Sequence, residues 1–217
     1  EFTSEITAAK TVLSKEAEVQ TPEDVETLRY VVRADEQGHG FLYLNNYQDH
    51  VETIDQTDFC VTIQSDLGEV RFPQNGSLNL AKDACAILPY WFSLEGHLLK
   101  YATAQLITKA VSSHATYYFF SKIRGMSGEF VFPEDEIIPV ILSNSETSVF
   151  TFGQGNRCIV TVLNVNDAER LWQYDTPEGR KLFLCDCPVL YKDNEFELEY
   201  PMGEEVALSV FPSEKES

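Results

Sequence analysis

Residues 59–72 carry the clearest fold signal in the chain and read Phe59-Cys60-Val61-Thr62-Ile63-Gln64-Ser65-Asp66-Leu67-Gly68-Glu69-Val70-Arg71-Phe72. Apolar and polar side chains alternate through Val61-Thr62-Ile63, which is the pattern of a strand with one buried face. The run Asp66-Leu67-Gly68 is typical of a short hairpin loop. These residues therefore predict two strands joined by a tight turn.

Runs of the same kind, rich in β-branched and aromatic residues, recur along the chain with turn signals every 8 to 12 residues or so. This spacing predicts an all-β fold of antiparallel sheets, arranged as a sandwich or jelly roll. The predicted strands are Leu28–Arg33, Phe41–Asn45, Phe59–Gln64, Glu69–Phe72, Ser77–Asn79, Cys85–Phe92, His97–Thr103, Gln105–Ala110, Thr116–Ser121, Gly128–Phe132, Ser148–Phe152 and Cys158–Leu163, with further strands between Lys181 and Phe211.

One segment, residues 166–174, interrupts the β pattern. Asn166 is a candidate N-cap, and Ala168, Leu171 and Trp172 follow at helical spacing, so we expect a short helix that Trp172 anchors to a sheet. The expected organisation is a polar linker or arm over residues 1–26, a main β domain over 27–164, and a helix with further strands over 165–217. The last part either belongs to the same domain or forms a small second one.

The net charge and the distribution of apolar residues limit the kinds of molecule that we expect the chain to bind. The 217 residues carry a formal net charge of -19, which would repel a phosphate backbone, so we expect no nucleic-acid partner. Neither a signal-peptide pattern at Glu1 nor a run of about 20 apolar residues is present, so we expect no membrane partner.

The five cysteines form an odd set, mostly within apolar runs, which favours a reducing compartment and a cytoplasmic location. Because the chain does not begin with Met, we expect it to be a piece of a larger protein.

Catalytic and cofactor motifs are missing from the sequence. The four histidines lack metal-ligand spacing, and Cys185-Asp186-Cys187 lacks the two-residue spacing of zinc and redox motifs. In a strand, residues two apart point the same way and do not bond easily, so no metal is expected there. We expect no cofactor and no catalytic residue within the chain.

The most informative stretch for function is residues 40–52, GFLYLNNYQDHVE. Asn45, Asn46, Gln48 and His50 offer donors and acceptors for sugar hydroxyl groups, and Tyr47 offers a flat apolar face for a sugar ring. The simpler interpretation is a turn whose amides cap local backbone groups. Together with Trp91, which follows an apolar run, these residues are candidate contacts with carbohydrate or with a neighbouring domain.

Residues 38–52, GHGFLYLNNYQDHVE, resemble a signature of bacterial family 35 glycoside hydrolases, a family that contains β-galactosidases. The resemblance continues through Phe72-Pro73, through residues 86–90 and through residues 98–105, LLKYATAQ. It is weaker over Val165 to Trp172 and over Lys181 to Phe183, and it covers Leu28 to about Phe211.

The resemblance implies that the catalytic carboxylates belong to a preceding (β/α)₈ barrel, for which this chain has neither the length nor the helix–strand alternation. The chain would then be an accessory β domain that packs against that barrel in the same protein, stabilises it and contributes to the rim of a galactoside pocket. A free-standing carbohydrate-binding sandwich is the alternative. That alternative would expose Tyr47, Tyr90 and Trp91, whereas a structural domain would bury them.

Overall fold

The computed structural model describes residues 11–12, 21–133, 137–140, 148–152, 157–203 and 205–212. These residues confirm the predicted all-β class, with several antiparallel sheets and one short helix. Within the same ranges, no helix combines the length and the apolar character needed to cross a bilayer.

The chain divides into two compact units, 1–106 with 122–142 and 107–121 with 143–217. This division interleaves the sequence, whereas the boundaries expected at residues 26 and 164 follow the sequence order and stay a prediction. The first unit holds β1 (Thr11–Val12), β2 (Arg29–Ala34), β3 (Gly40–Asn45), β4 (Gln56–Phe59), β5 (Val61–Ser65), β6 (Gly68–Phe72), β7 (Leu78–Leu80), β8 (Cys85–Leu94), β9 (His97–Ala102), β12 (Gly128–Val131) and β13 (Ile137–Val140).

The main sheet of the first unit has the order β1-β2-β3-β8-β9-β12-β13 among the described residues. Its pairings are antiparallel, and neighbouring strands are mostly consecutive in sequence, as short turns favour. Residues 11–12 of the predicted arm belong to this sheet, because Thr11 pairs with Arg33 and Val12 with Val32. Residues 1–10 and 13–20 lie outside the described residues.

The predicted hairpin of residues 59–72 is confirmed in its main part. β5 and β6 pair antiparallel from Val61 opposite Phe72 to Ser65 opposite Gly68. Val61 and Ile63 are buried while Thr62 is exposed, so the alternation separates the core from water. The predicted strand Phe59–Gln64 is in fact two strands, since β4 ends at Phe59 and pairs with β7 instead.

A hydrophobic core lies among the main sheet and these hairpins. Its largest fully buried members include Phe72, Leu88, Tyr90 and Tyr101. Burying one large apolar side chain of this kind contributes about 1.5–3 kcal/mol to folding, so this cluster contributes substantially to the first unit's stability. The Phe72 and Tyr101 rings pack at 4.5 Å between centroids and join β6 to β9.

The second unit holds the remaining elements. Its strands are β10 (Gln105–Val111, which begins in the first unit), β11 (Ala115–Ser121), β14 (Ser148–Phe152), β15 (Arg157–Leu163), β16 (Leu171–Thr176), β17 (Gly179–Leu184), β18 (Val189–Lys192), β19 (Glu195–Leu198) and β20 (Ser209–Phe211). The described strands form the sheets β10-β11-β15-β14, β16-β17-β20 and β18-β19. β11 and β15 run parallel, which departs from the predicted antiparallel pattern.

The helix is shorter than predicted. α1 spans Val165–Glu169, and its N-cap is Asn164, whose side chain accepts a hydrogen bond from the Asp167 amide at 2.9 Å. The expectation of a helix through residue 174 was wrong, because β16 begins at Leu171. Trp172 lies opposite Phe183 in the β16–β17 pair, so it packs from a strand rather than from a helix.

Candidate functional site

The candidate site is the loop of residues 46–55, which follows β3. β3 lies inside the main sheet, between β2 and β8. Gly40 begins the strand where no larger residue fits, because an added Cβ would lie 2.1 Å from the Arg33 carbonyl oxygen and 2.6 Å from the Tyr90 hydroxyl. At the other end of the strand, Asn45 lies in register opposite Cys85 of β8.

Asn46 holds the loop closed. Its side chain is buried, and its Nδ2 donates hydrogen bonds to the carbonyl oxygens of Ile54 at 2.7 Å and Ala81 at 3.0 Å, with the Leu80 carbonyl oxygen at 3.5 Å. Its backbone amide donates to the Ala84 carbonyl oxygen at 3.0 Å. Because an amide nitrogen carries two hydrogens, these backbone contacts use the whole donor capacity of the side chain.

Asn45 organises the first turn of the loop. Its Oδ1 accepts hydrogen bonds from the Tyr47 amide at 2.8 Å and from Cys85 Sγ at 3.2 Å. The first of these bonds is an Asx turn, in which a side-chain oxygen caps the backbone two residues on. Asn45 therefore caps local backbone, as the simpler interpretation of the sequence expected of the amides, whereas Asn46 binds backbone carbonyl groups that lie further along the chain.

The far end of the loop is fastened to the turn of residues 81–84. Thr53 Oγ1 donates to Asp83 Oδ1 at 2.8 Å and accepts from the Asp83 amide at 3.0 Å. Asp55 Oδ1 accepts from the Lys82 amide at 2.8 Å. Both ends of the loop thus rest on the same turn, which limits how far the loop can move.

Apolar groups face outward from this fastened loop. Tyr47 is 51% exposed and Ile54 is 46% exposed, although both are large hydrophobic residues. His50, at φ 61, is exposed and lies 3.4 Å from Asp49 through its Nε2, while Gln48 is half-buried. We call the exposed side chains of Tyr47, His50 and Ile54 the loop surface.

Trp91 does not join the loop surface. The β3–β8 register places Cys85 beside Asn45, and Trp91 lies six residues further along the same strand. At roughly 3.3 Å per residue, this puts Trp91 about 20 Å from the loop. The Trp91 side chain is 8% exposed and belongs to the core, and its Nε1 has no hydrogen-bond partner among the described residues. Tyr90 is also buried.

A polar cluster that the sequence did not reveal joins β9, β12 and the loop after β6. The Tyr101 hydroxyl donates to Glu129 Oε1, which also accepts from the Gln74 amide at 3.0 Å. Burial, followed by the hydrogen bond to Glu129, raises the pKa of Tyr101 well above its usual value, so the phenol stays protonated. Arg71 donates to the carbonyl oxygens of Pro73, Gln74 and Gly76.

The contacts of this polar cluster indicate a structural role. Its carboxylate is occupied by a phenol and a backbone amide, and Arg71 is occupied by three carbonyl groups of one loop. Within the described ranges, no group of three or more His, Cys, Asp or Glu side chains is arranged to hold a metal ion. The arrangement therefore orders the loop of residues 73–76 against the main sheet.

Comparison with known proteins assigns the chain to a family. No curated protein matches it. The family described as beta-galactosidase, domain 2, matches residues 9–186, which is most of the chain and includes the loop of residues 46–55, the polar cluster and α1. The chain therefore belongs to the beta-galactosidase domain 2 family, and it is an accessory domain of the beta-galactosidase type.

Proposed function

We propose that this chain is the accessory β domain of a bacterial family 35 β-galactosidase, and that it packs against the catalytic (β/α)₈ barrel of the same protein and stabilises it. The single observation that carries the proposal is the family match over residues 9–186. The resemblance of residues 38–52 to the family 35 signature supports the narrower assignment.

The loop surface is the part of the chain that we assign to this packing. It presents two large apolar side chains, Tyr47 and Ile54, to solvent from a loop whose ends are both hydrogen-bonded to the main body. Exposed apolar groups on a rigid loop are well suited to a protein interface, since little conformational entropy is lost when they are covered. In this proposal the barrel covers them.

The burial of the other aromatic candidates argues for packing over sugar binding. A sugar site needs an exposed aromatic face with free donors and acceptors beside it. Tyr90 and Trp91 are buried in the core, and the Asn46 amide is committed to backbone carbonyls. Of the aromatic residues expected to form a platform, Tyr47 alone is exposed, so the carbohydrate-binding alternative rests on that one side chain.

The test uses the complete enzyme carrying Tyr47→Asp or Ile54→Asp. A charge at a covered apolar contact should lower the thermal unfolding midpoint of the enzyme and shorten its half-life at elevated temperature, without changing KM for an aryl β-galactoside. Leu67→Asp is the matched control, because Leu67 is a comparably exposed apolar residue on the β5–β6 turn. Equal effects at all three positions would count against the loop surface, and a raised KM at Tyr47 alone would favour direct contact with sugar.

A further inference from the structure

Two cysteine sulfurs meet in a bend of the second unit. Cys185 and Cys187 lie between β17 and β18, where the backbone bends rather than continuing as a strand. Their Sγ atoms are 3.9 Å apart, and Cys185 Sγ also donates to the Cys187 carbonyl oxygen at 3.2 Å. The expectation that these two cysteines lie in a strand was therefore wrong.

Arg170 fixes the position of the bend. Its carbonyl oxygen accepts from the Cys185 amide at 3.4 Å, and its guanidinium binds Asp186, the residue between the two cysteines. The same guanidinium binds Asp167 in α1. The backbone and the side chain of Arg170 therefore both hold the bend, and the bend brings the two sulfur atoms together.

The surroundings of the two thiols are apolar. Cys185 is 2% exposed and Cys187 is 6% exposed, and they pack in one cluster with Phe183 and Val189. Burial raises the pKa of the Cys185 thiol, which slows any reaction that needs the thiolate. No third or fourth metal ligand accompanies them among the residues that the structure describes, which disfavours a structural zinc site.

We propose that Cys185 and Cys187 form a modification site at which a peroxide closes a reversible disulfide. One thiolate attacks a peroxide oxygen, the O–O bond breaks, and a sulfenic acid and one water result once a proton is taken up. The second thiol gives up its proton and its sulfur attacks the sulfenic sulfur; the S–S bond forms, the S–O bond breaks, and the departing hydroxide takes up that proton and leaves as a second water. In total, the two thiols lose two electrons and two protons, and hydrogen peroxide is reduced to two waters.

The short distance between the two sulfur atoms favours formation of the disulfide. A disulfide needs a sulfur separation of about 2.05 Å, so the two atoms must approach by roughly 1.9 Å, which rotation of the side chains and a small change in the bend can supply. An intramolecular partner in contact reacts with a very high effective concentration. A sulfenic acid formed at either cysteine is therefore captured before it gains more oxygen. Because the ring is short and strained, mild thiol reductants should reopen it.

The test exploits the sequence around the pair. Trypsin releases residues 182–192, which contain Cys185 and Cys187 and no other cysteine. The folded chain is treated with hydrogen peroxide, its remaining thiols are alkylated, and the peptides are weighed. We expect peptide 182–192 to lose two hydrogens, to escape alkylation, and to regain both thiols on treatment with dithiothreitol.

Exposed cysteines provide the internal control. Cys60 and Cys85 are exposed and lie in separate tryptic peptides, 34–71 and 83–100, which we expect to gain oxygen atoms under the same treatment. The Cys185→Ser and Cys187→Ser variants should each abolish the loss of two hydrogens. The proposal is overturned if peptide 182–192 stays alkylatable when the exposed peptides are oxidised, if it gains oxygen instead, or if either cysteine pairs elsewhere.

Discussion

The Nδ2 atom of Asn46 donates a hydrogen bond to the carbonyl oxygen of Ile54 at 2.7 Å, across the neck of the loop of residues 46–55. The same atom binds the Ala81 carbonyl oxygen, so one buried amide joins both ends of the loop to the neighbouring turn. Asn45, one residue earlier, is exposed, and among the described residues its side chain acts as an acceptor. Asn46 therefore needs its side-chain donor, whereas Asn45 needs its side-chain acceptor. Replacing each residue by Asp distinguishes the two roles.

Asn46→Asp should destabilise the chain by about 2 kcal/mol or more, because it replaces a buried donor with an acceptor and leaves two carbonyl groups unsatisfied. Asn45→Asp should change the free energy of unfolding by about 0.5 kcal/mol or less, since a carboxylate accepts the same bonds. Urea unfolding at neutral pH measures both values. A similar loss in the two variants would mean that the amide of Asn46 does not hold the loop.

Gly40→Ala should cost about 3 kcal/mol or more, since its Cβ would overlap the Arg33 carbonyl oxygen, a backbone atom that cannot move aside within the sheet. Gly96→Ala is the comparison, because an added Cβ meets nothing within 4 Å there. That variant should lose only about 1 kcal/mol, from its positive φ. Thermal unfolding of both variants tests the prediction, and equal losses would contradict it.

The stability of the chain should fall as the pH rises above 10. Burial, followed by the charge of Asp35, raises the pKa of Tyr90 to about 12 from its ordinary value of 10.0. Between these pH values the unfolded chain gives up the Tyr90 proton while the folded chain keeps it, so the unfolded state binds fewer protons and the free energy of unfolding decreases.

The matched variant for this pH dependence is Tyr90→Phe, which cannot ionise at that position. Urea unfolding at several pH values from 9 to 12 measures the free energy of unfolding of the variant and of the unmodified chain. This free energy should fall less steeply with pH in the variant, and the difference in slope should correspond to up to one proton. Part of the slope should remain, because burial also raises the pKa of Tyr101. Identical slopes would show that Tyr90 ionises normally in the folded chain.

Local patterns were sufficient to predict most of the strands. Alternation in Val61-Thr62-Ile63 and the loop signal Asp66-Leu67-Gly68 depend on neighbouring residues, and the β5–β6 hairpin follows from them. The parallel pair β11–β15 could not be predicted in the same way, because its partners are far apart in sequence and no turn connects them directly.

The errors have physical causes as well. Trp172 satisfies helical spacing, but its pairing with Phe183 in a sheet outweighs the local preference. The local sequence around Cys185 and Cys187 is typical of a strand. The bend there depends on contacts with Arg170, which the local pattern does not contain. The role of Asn46 depended on its burial against Ala81, a contact 35 residues away that no short motif contains.

In the function proposed above, the chain packs against another domain and does not contact sugar. The decisive test is a titration of the purified chain with galactose and lactose by isothermal titration calorimetry, because Trp91 lies too far from the loop surface to report binding there. Hydrolysis of an aryl β-galactoside is assayed in parallel. We expect no saturable heat change and no product. Saturable binding that Tyr47→Ala abolishes would instead show a carbohydrate-binding module, and release of product would show a catalytic domain.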